Sequence, residues 1–542
     1  MHTRVMSAAV AASVALSLVP GAARSETSAV SAPAASVVAM HAAYVGHPEG
    51  VVTTYRYFPP EKAPAPRSTP APDEPKIEPT QLTTYRRGAL YRDVYRGSGV
   101  TSQAGFTGRA FWTANENGYT AVAYELSARR RLTTNLVDSD QLADVPATAR
   151  GAQSVGGVAV EVVRFTPPQG IPVDVAFDRA TGAYVEVTFD PDKKYATRSQ
   201  VVHVDGYTEA APGVRVPSGY HSGEYGGWKL TEKAVRAVTN EDLRGPTPTA
   251  TWDFQSMDTT PIEIVAHQTQ YSFLPTGHAA HVHATIDGHV GTFLLDSGAS
   301  SILLYRPFSD KVKVTKLGRT AFSGVNGGMM GARLARVDAI QVGKNTLKNV
   351  IVTLAGGEFA EGIDGILGYD FLAGALVDVD TADQTIRILD PSKMEPVVKP
   401  GAYAFTVNLA SGQPEVNLKA SGVPTSAIFD TGADYLAVLS DDLQSSGRIV
   451  ALTDQIKLGG GQTIDYRIGF FGVDGPANAP ARCSRLSQIE VGPYKYQNVE
   501  TCFASANVFG RDGGLIGFDF LKHFNWTFDY VESKLVLTPN GK

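Results

Sequence analysis

Two short runs in this chain, FLLDSGAS at Phe293 to Ser300 and AIFDTGAD at Ala427 to Asp434, set an aspartate beside a small hydroxyl residue and a glycine. An apolar stretch feeding Asp-Ser/Thr-Gly describes a buried strand that ends in a tight turn and presents one carboxylate there. Two such turns face to face would bring two carboxylates so close that both cannot ionise. One then keeps its proton, and the pair becomes a matched general acid and general base. Asp296 and Asp430 are the candidate pair. Ser297 and Thr431 supply hydroxyls that can support them, and Gly298 and Gly432 let the chain turn where a Cβ would clash.

The pattern is cheap on its own, since a chain of 542 residues is expected to hold about 0.4 such triplets from average residue usage. The flanks decide the matter. DGILGYDFL (Asp364 to Leu372) and GGLIGFDFL (Gly513 to Leu521) align at an offset of 149. VDAIQVGKNTLKNVIVTL (Val337 to Leu354) aligns with LSQIEVGPYKYQNVETCF (Leu486 to Phe503) at the same offset, and GVNG at Gly324 echoes GVDG at Gly472. The aspartates themselves are 134 residues apart, so the second copy carries 15 more residues between its aspartate and these segments. Self-similarity at this scale is the duplication of a whole lobe.

With those motifs in hand, the C-terminal half resembles the pepsin and retropepsin group of aspartic peptidases, over roughly residues 262 to 540. The shared motifs are the Asp-Ser/Thr-Gly-Ala turns and the apolar-apolar-Gly segments Ile366, Leu367, Gly368 and Leu515, Ile516, Gly517. Ala299 and Ala433 resemble the retroviral type, while two lobes in one chain resemble the pepsin arrangement. NWTFDYVESKLVLTP near the end is similar to the closing strand of bacterial retropepsin-like domains. The resemblance implies a bilobal pair of β-barrels and a peptide or protein substrate. It further implies hydrolysis without a covalent intermediate, through a water held between Asp296 and Asp430. The ionised aspartate would take the water's proton while the protonated one polarises the scissile carbonyl.

The resemblance also makes the Gly-rich SGVNGGMMGARL stretch, Ser323 to Leu334, a flap over the cleft. Gly327 and Gly328 would supply mobility and Met329 adaptable apolar contact; an ordinary hairpin tip is the alternative. No tyrosine lies in this stretch, so the pepsin type of flap contact is not expected. In lobe 2, GVDGPANAP (Gly472 to Pro480) carries two prolines and reads as a stiffer loop.

Composition agrees with several domains. The length suggests three or four units, and 43% apolar content is enough for packed cores. A net charge of −6 argues against nucleic acid as a partner. The start reads as a secretory signal peptide over residues 1–25, with His2 and Arg4, then an apolar Ala- and Ser-rich stretch, then small residues. No other apolar run reaches 18 residues, so no transmembrane segment and an exported protein, periplasmic or secreted, are expected. The two cysteines, Cys483 and Cys502, flank a hairpin centred between Gly492 and Pro493 and would face each other. In an oxidising compartment they are expected to form a disulfide contributing about 3 kcal/mol; two buried thiols are the alternative.

Residues 26–80 read as a Pro-rich linker or extended segment, with eight prolines from Pro59 to Pro79. From 81 to 250, short runs with period-two patterning and Gly, Asp and Asn turns indicate an antiparallel β domain. The helical signal is weak, limited to segments such as DSDQLADVPATA. The order DRATGAYVEVTFD, a strand, VDG and GVRVPSGY resembles the curved sheet of lipoprotein-carrier-like periplasmic domains. That similarity implies a concave face able to take a lipid tail or an apolar peptide. Phe111, Trp112 and Phe165 would line it or be ordinary core, and a cleft-blocking prodomain is a further alternative. The whole chain is therefore expected to be mainly β, a curved-sheet domain followed by lobe 1 over 262–396 and lobe 2 over 397–542, acting as a monomer without a cofactor.

Two rival functions fit parts of the sequence. His278, His281, His283 and His289 crowd before the first aspartate turn, and His281 and His283 would share a strand face. That would suit a metal-dependent hydrolase, although no HExxH-type carboxylate accompanies them. A catalytically silent peptide- or lipid-binding protein on the same fold is the other rival, and the intact aspartates with their hydroxyl and glycine neighbours speak against it.

Overall fold

The computed structural model describes residues 32–46, 48–58, 80–97, 99–123, 128–168, 170–193, 199–222, 226–255, 260–265, 280–323, 329–356, 362–393, 400–409, 412–433, 437–449, 481–505 and 513–541, with short strands between 452 and 476. Residues 1–25, the proline run 59–79, His278, Gly327 and Gly328 lie outside the described residues. The chain divides into two compact units. One comprises residues 248–542 together with 117–121, and the other holds the remainder of the N-terminal chain.

The N-terminal unit is built on twelve strands of one sheet, antiparallel in every pairing from Phe111–Ala114 to Ala147–Val155. The linker reading of 26–80 is corrected over much of its length. Ala32–Val45 is a helix whose Ala34, Val38, His41 and Val45 recur at helical spacing and are buried. Val51–Phe58 is an inner strand, paired with Gln81–Arg87 on one side and Gly226–Val235 on the other. Proline density near this region hid the alanine-rich helix and the β-branched strand before it. The second helix is Ala128–Asp138, so the helical signal at DSDQLADVPATA was misplaced. Its buried positions include Arg131, Thr133 and Asn135, and a polar buried face leaves no apolar period to read. Phe111, Trp112 and Phe165 are all buried, as core rather than as lining of an open face.

Two closed six-strand barrels form the C-terminal unit. In lobe 1 the ring runs His281–Ile286, His289–Leu295, Gly365–Leu367, Leu303–Tyr305, Asn345–Ala355 and Met329–Val342, and closes back onto His281–Ile286. Lobe 2 repeats it with Glu415–Ala420, Val423–Phe429, Gly514–Ile516, Ala437–Ser440, Tyr494–Ala504 and Ala481–Val491. Closure pairs every edge of the ring, and the alternating apolar residues it turns inward make the core. A six-stranded sheet joins the lobes, with Leu376–Asp380 of lobe 1 antiparallel to Phe524–Asp529 of lobe 2. The NWTFDYVESKLVLTP run lies in this sheet, where Trp526 and Phe528 are buried. Asn117 acts as a plug in the same unit. Its side chain donates to the Ile351 carbonyl at 2.9 Å and accepts from the Ile351 N–H at 2.7 Å.

Candidate active site

Each aspartate stands where a parallel strand pair ends. Phe293, Leu294 and Leu295 run beside Gly365, Ile366 and Leu367, and the Asp296 N–H closes the ladder on the Leu367 carbonyl at 3.1 Å. In lobe 2, Ile428 and Phe429 run beside Leu515 and Ile516, and the Asp430 N–H meets the Ile516 carbonyl at 2.9 Å. The chain then turns within one residue. Gly298 N–H donates to Asp296 Oδ1 at 2.7 Å, and Gly432 N–H to Asp430 Oδ1 at 2.9 Å. The apolar-apolar-Gly segments support the turns from below, since Tyr369 N–H reaches the Ala299 carbonyl at 2.9 Å and Phe518 N–H the Ala433 carbonyl at 2.6 Å.

The two turns grip each other across the lobe boundary. Ser297 N–H donates to Thr431 Oγ1 at 3.0 Å, and Thr431 N–H donates to Ser297 Oγ at 3.1 Å. The hydroxyls carry the exchange one strand deeper, Ser297 Oγ donating to the Phe429 carbonyl at 2.6 Å and Thr431 Oγ1 to the Leu295 carbonyl at 2.7 Å. Each hydroxyl both donates and accepts, and both residues are buried. An unmade bond here would leave a buried polar group without a partner, so the four bonds set the spacing of the turns.

That spacing lays each carboxylate over the other lobe's glycine. A Cβ on Gly298 would lie 2.4 Å from Asp430 Cγ, and one on Gly432 would lie 2.6 Å from Asp296 Cγ. Only glycine fits at either place. The aspartates keep partial solvent access while Ser297 and Thr431 have almost none. Burial raises the Asp430 carboxyl above the usual carboxylate range. Asp296 is raised further, by burial first and then by the Asp430 charge and hydrogen bond, against the pull of the Gly298 and Ala299 N–H groups. The two acids titrate as one coupled pair, which holds a proton above the usual carboxylate range.

The stretch expected to form a flap lies between the paired strands Thr315–Ser323 and Met329–Val342, and Ser323 pairs with Met329. Met329 lies in the second strand, while Gly327 and Gly328 are outside the described residues. Cys483 and Cys502 are bonded and form a cross-strand pair in the lobe 2 hairpin. Among the described residues, the histidines before the Asp296 turn do not assemble. His281 is buried, His283 is exposed with Nδ1 at 3.4 Å from Thr292 Oγ1, His289 is exposed, and His278 is outside the described residues. Among the described residues, no group of three or more His, Cys, Asp and Glu side chains is placed to hold a metal ion.

Several neighbours of the site were not legible beforehand. Tyr305 and Tyr530 are buried near the dyad; burial pushes both hydroxyls up, followed by the Asp296 charge for Tyr305 and by Tyr369 and then the two aspartates for Tyr530. Gln413 of lobe 2 donates its Nε2 to the Gly298 carbonyl of lobe 1. It lies outside every segment that the two copies share, which is the signal the sequence lacked.

Residues 282–371 match the family described as Aspartyl protease. No curated protein matches the chain. The matched segment starts in the first barrel strand and ends in the helix beneath the Asp296 turn, and it carries protease-type function as its general implication. The six barrel strands of lobe 1 recur in lobe 2, and the two barrels fit a pepsin-like duplicated fold.

Proposed function

We propose that the chain is an aspartic-type endopeptidase in which Asp296 and Asp430 hold one water between them and activate it for attack on a peptide bond. The observation that carries this reading is the reciprocal overlap of the turns, in which each carboxylate rests on the opposite glycine. Two acids so placed cannot both ionise, which leaves one base for the water and one acid for the scissile carbonyl. Partial solvent access admits the water, and the buried grip of Ser297 and Thr431 fixes the distance that both proton transfers need. No covalent intermediate is required, because water is the nucleophile.

A peptide or protein is the substrate, taken by a single chain that supplies both turns. Export to an oxidising compartment belongs to the same proposal and is supported by the Cys483–Cys502 disulfide. A lipid tail or apolar peptide on the N-terminal sheet gains no support from Phe111, Trp112 and Phe165, which are buried.

Digestion of a peptide library by the purified chain, from about pH 3 to about pH 8, with and without pepstatin, tests the reading. Pepstatin-sensitive cleavage that disappears in Asp296→Asn is the expected result. Absence of cleavage at every pH, with peptide still bound, would replace it with the silent binding protein.

A further inference from the structure

Three neighbouring strands of the N-terminal sheet, Tyr184–Phe189, Gln200–Val204 and Gly219–Ser222, carry a row of side chains that peptide hydrolysis does not use. Glu186 stands directly opposite His203, and His203 directly opposite His221. Residues paired in this way across antiparallel strands project from one face, with Cβ atoms about 4.5 to 5.5 Å apart. The two imidazoles are stacked, their ring centroids 5.0 Å apart and their planes 28° from parallel. Neither belongs to the histidine run before the Asp296 turn, and only strand pairing brings them together.

Each ring turns Nδ1 to a carboxylate. His221 Nδ1 donates to Asp205 Oδ1 at 2.7 Å, and His203 Nδ1 lies 3.2 Å from Glu186 Oε2. An ionised carboxylate only accepts, so in the neutral ring the proton sits on Nδ1 and the lone pair is left on Nε2. Among the described residues neither Nε2 has a hydrogen-bond partner, and the two histidine side chains are 38% and 40% exposed. Ion pairing explains each contact singly, although exposed pairs contribute little. It does not explain the stacking, because two protonated rings opposite each other on a sheet repel. Two neutral rings with a carboxylate behind each have no such conflict. That is the arrangement in which an outer carboxylate orients an imidazole toward a metal ion.

We propose that His203 and His221 form a two-histidine site for a divalent transition metal ion, with Asp205 and Glu186 fixing the rings from behind. Imidazole selects zinc, copper or nickel over magnesium and calcium, which take oxygen ligands. The ring separation is close to the reach of two metal–nitrogen bonds of about 2.0 to 2.1 Å each, so rotation of the side chains brings both Nε2 atoms onto one ion. Water completes the shell. With two protein ligands the site is smaller than the three-ligand groups that the described residues lack. A bound ion ties Gln200–Val204 to Gly219–Ser222.

Equilibrium dialysis of the tag-free full chain against zinc, at about pH 7.5 and so above the ordinary histidine range, tests the site without reference to peptide cleavage. Saturable zinc binding that magnesium does not displace is expected, with a Tm that rises to a plateau as zinc is added. His203→Gln combined with His221→Gln should lose both effects while its metal-free Tm stays at the wild-type value, since both side chains reach the surface. Asp205→Asn keeps both imidazoles and should weaken zinc binding by about tenfold or more. Electron paramagnetic resonance of the copper-loaded wild type needs no variant and should show two imidazole nitrogens on the metal. A wild type without saturable zinc binding below about 1 mM, a double variant that binds zinc as the wild type does, or a copper shell of oxygen alone would each overturn the proposal.

Discussion

Lobe 1 and lobe 2 are the same barrel with different fastenings. Where lobe 2 pairs Cys483 with Cys502 across its long hairpin, lobe 1 pairs Leu334 with Thr353 at the equivalent register. Lobe 1 has a continuous nine-residue strand, Thr315–Ser323, along the outer edge of that hairpin. Among the described residues of lobe 2, the short Leu452–Thr453 and Arg467–Ile468 strands pair with that hairpin. At the aspartate turns the exchange between Ser297 and Thr431 is reciprocal, and each of its bonds made by one lobe is returned by the other. The periphery of a duplicated fold can diverge because each lobe has a core of its own. The turns cannot, because each is the other's hydrogen-bond partner.

The largest expected effects test that mutual dependence at its centre. Asp296→Asn and Asp430→Asn should each cut peptide hydrolysis by about a thousandfold or more, since removing either acid removes the pair. Gly298→Ala and Gly432→Ala should be as damaging, because the new Cβ falls inside the opposite carboxylate. If one glycine tolerated alanine with full activity, the carboxylates would not lie over the glycines as described. The same asparagine variants should be more stable than the wild type at neutral pH. Both carboxyls are raised by burial, so the fold binds their protons more tightly than the unfolded chain does. The dyad's contribution to stability is then fully present below the ordinary carboxylate range and is lost as pH rises through the raised values. The Tm advantage of Asp296→Asn should open above about pH 4 and close below it.

The grip comes next in size. Thr431→Val removes the donor to Leu295 and the acceptor for Ser297 N–H, leaving both buried groups without partners. A loss of about 2 to 4 kcal/mol is expected from urea unfolding of the C-terminal unit, with hydrolysis falling alongside it. Ser297→Ala should cost a similar amount, because its bonds are the mirror set. A large difference between the two would break the symmetry drawn above.

What the sequence disclosed follows the same division. The barrels, the offset of 149 and the disulfide partners were legible because a strand's period and a duplicated motif are local records. The turns were legible for the same reason, Asp-Ser/Thr-Gly being a conformational requirement written in three residues. Gln413 was not, because its bond goes to a carbonyl 115 residues earlier, and nothing near it in sequence states that partner. The helix Ala32–Val45 was missed since its buried face mixes alanine with a histidine, His41, bonded to Asp140 at 2.9 Å and to the Gly182 carbonyl at 2.8 Å. The helix Ala128–Asp138 buries Arg131 and Asn135, and a face stabilised by hydrogen bonds leaves no trace in apolar periodicity.

The smallest effect sharpens the comparison at the hairpins. Reducing the Cys483–Cys502 bond opens a loop of about twenty residues, for which chain entropy alone gives about 3 kcal/mol. Replacing both cysteines with lobe 1's own pair, Cys483→Leu with Cys502→Thr, should cost less, since leucine refills the buried space that Ala481 and Ala504 border. If the lobes are one barrel fastened in two ways, the double variant should unfold closer to the wild type than the reduced protein does. Its peptidase pH profile should be unchanged, because the hairpin carries no group that faces the dyad. A double variant no more stable than the reduced form would mean that lobe 2 has drifted from the lobe 1 packing and depends on the covalent link, in which case the 15 additional residues before its hairpin are where that drift would have begun.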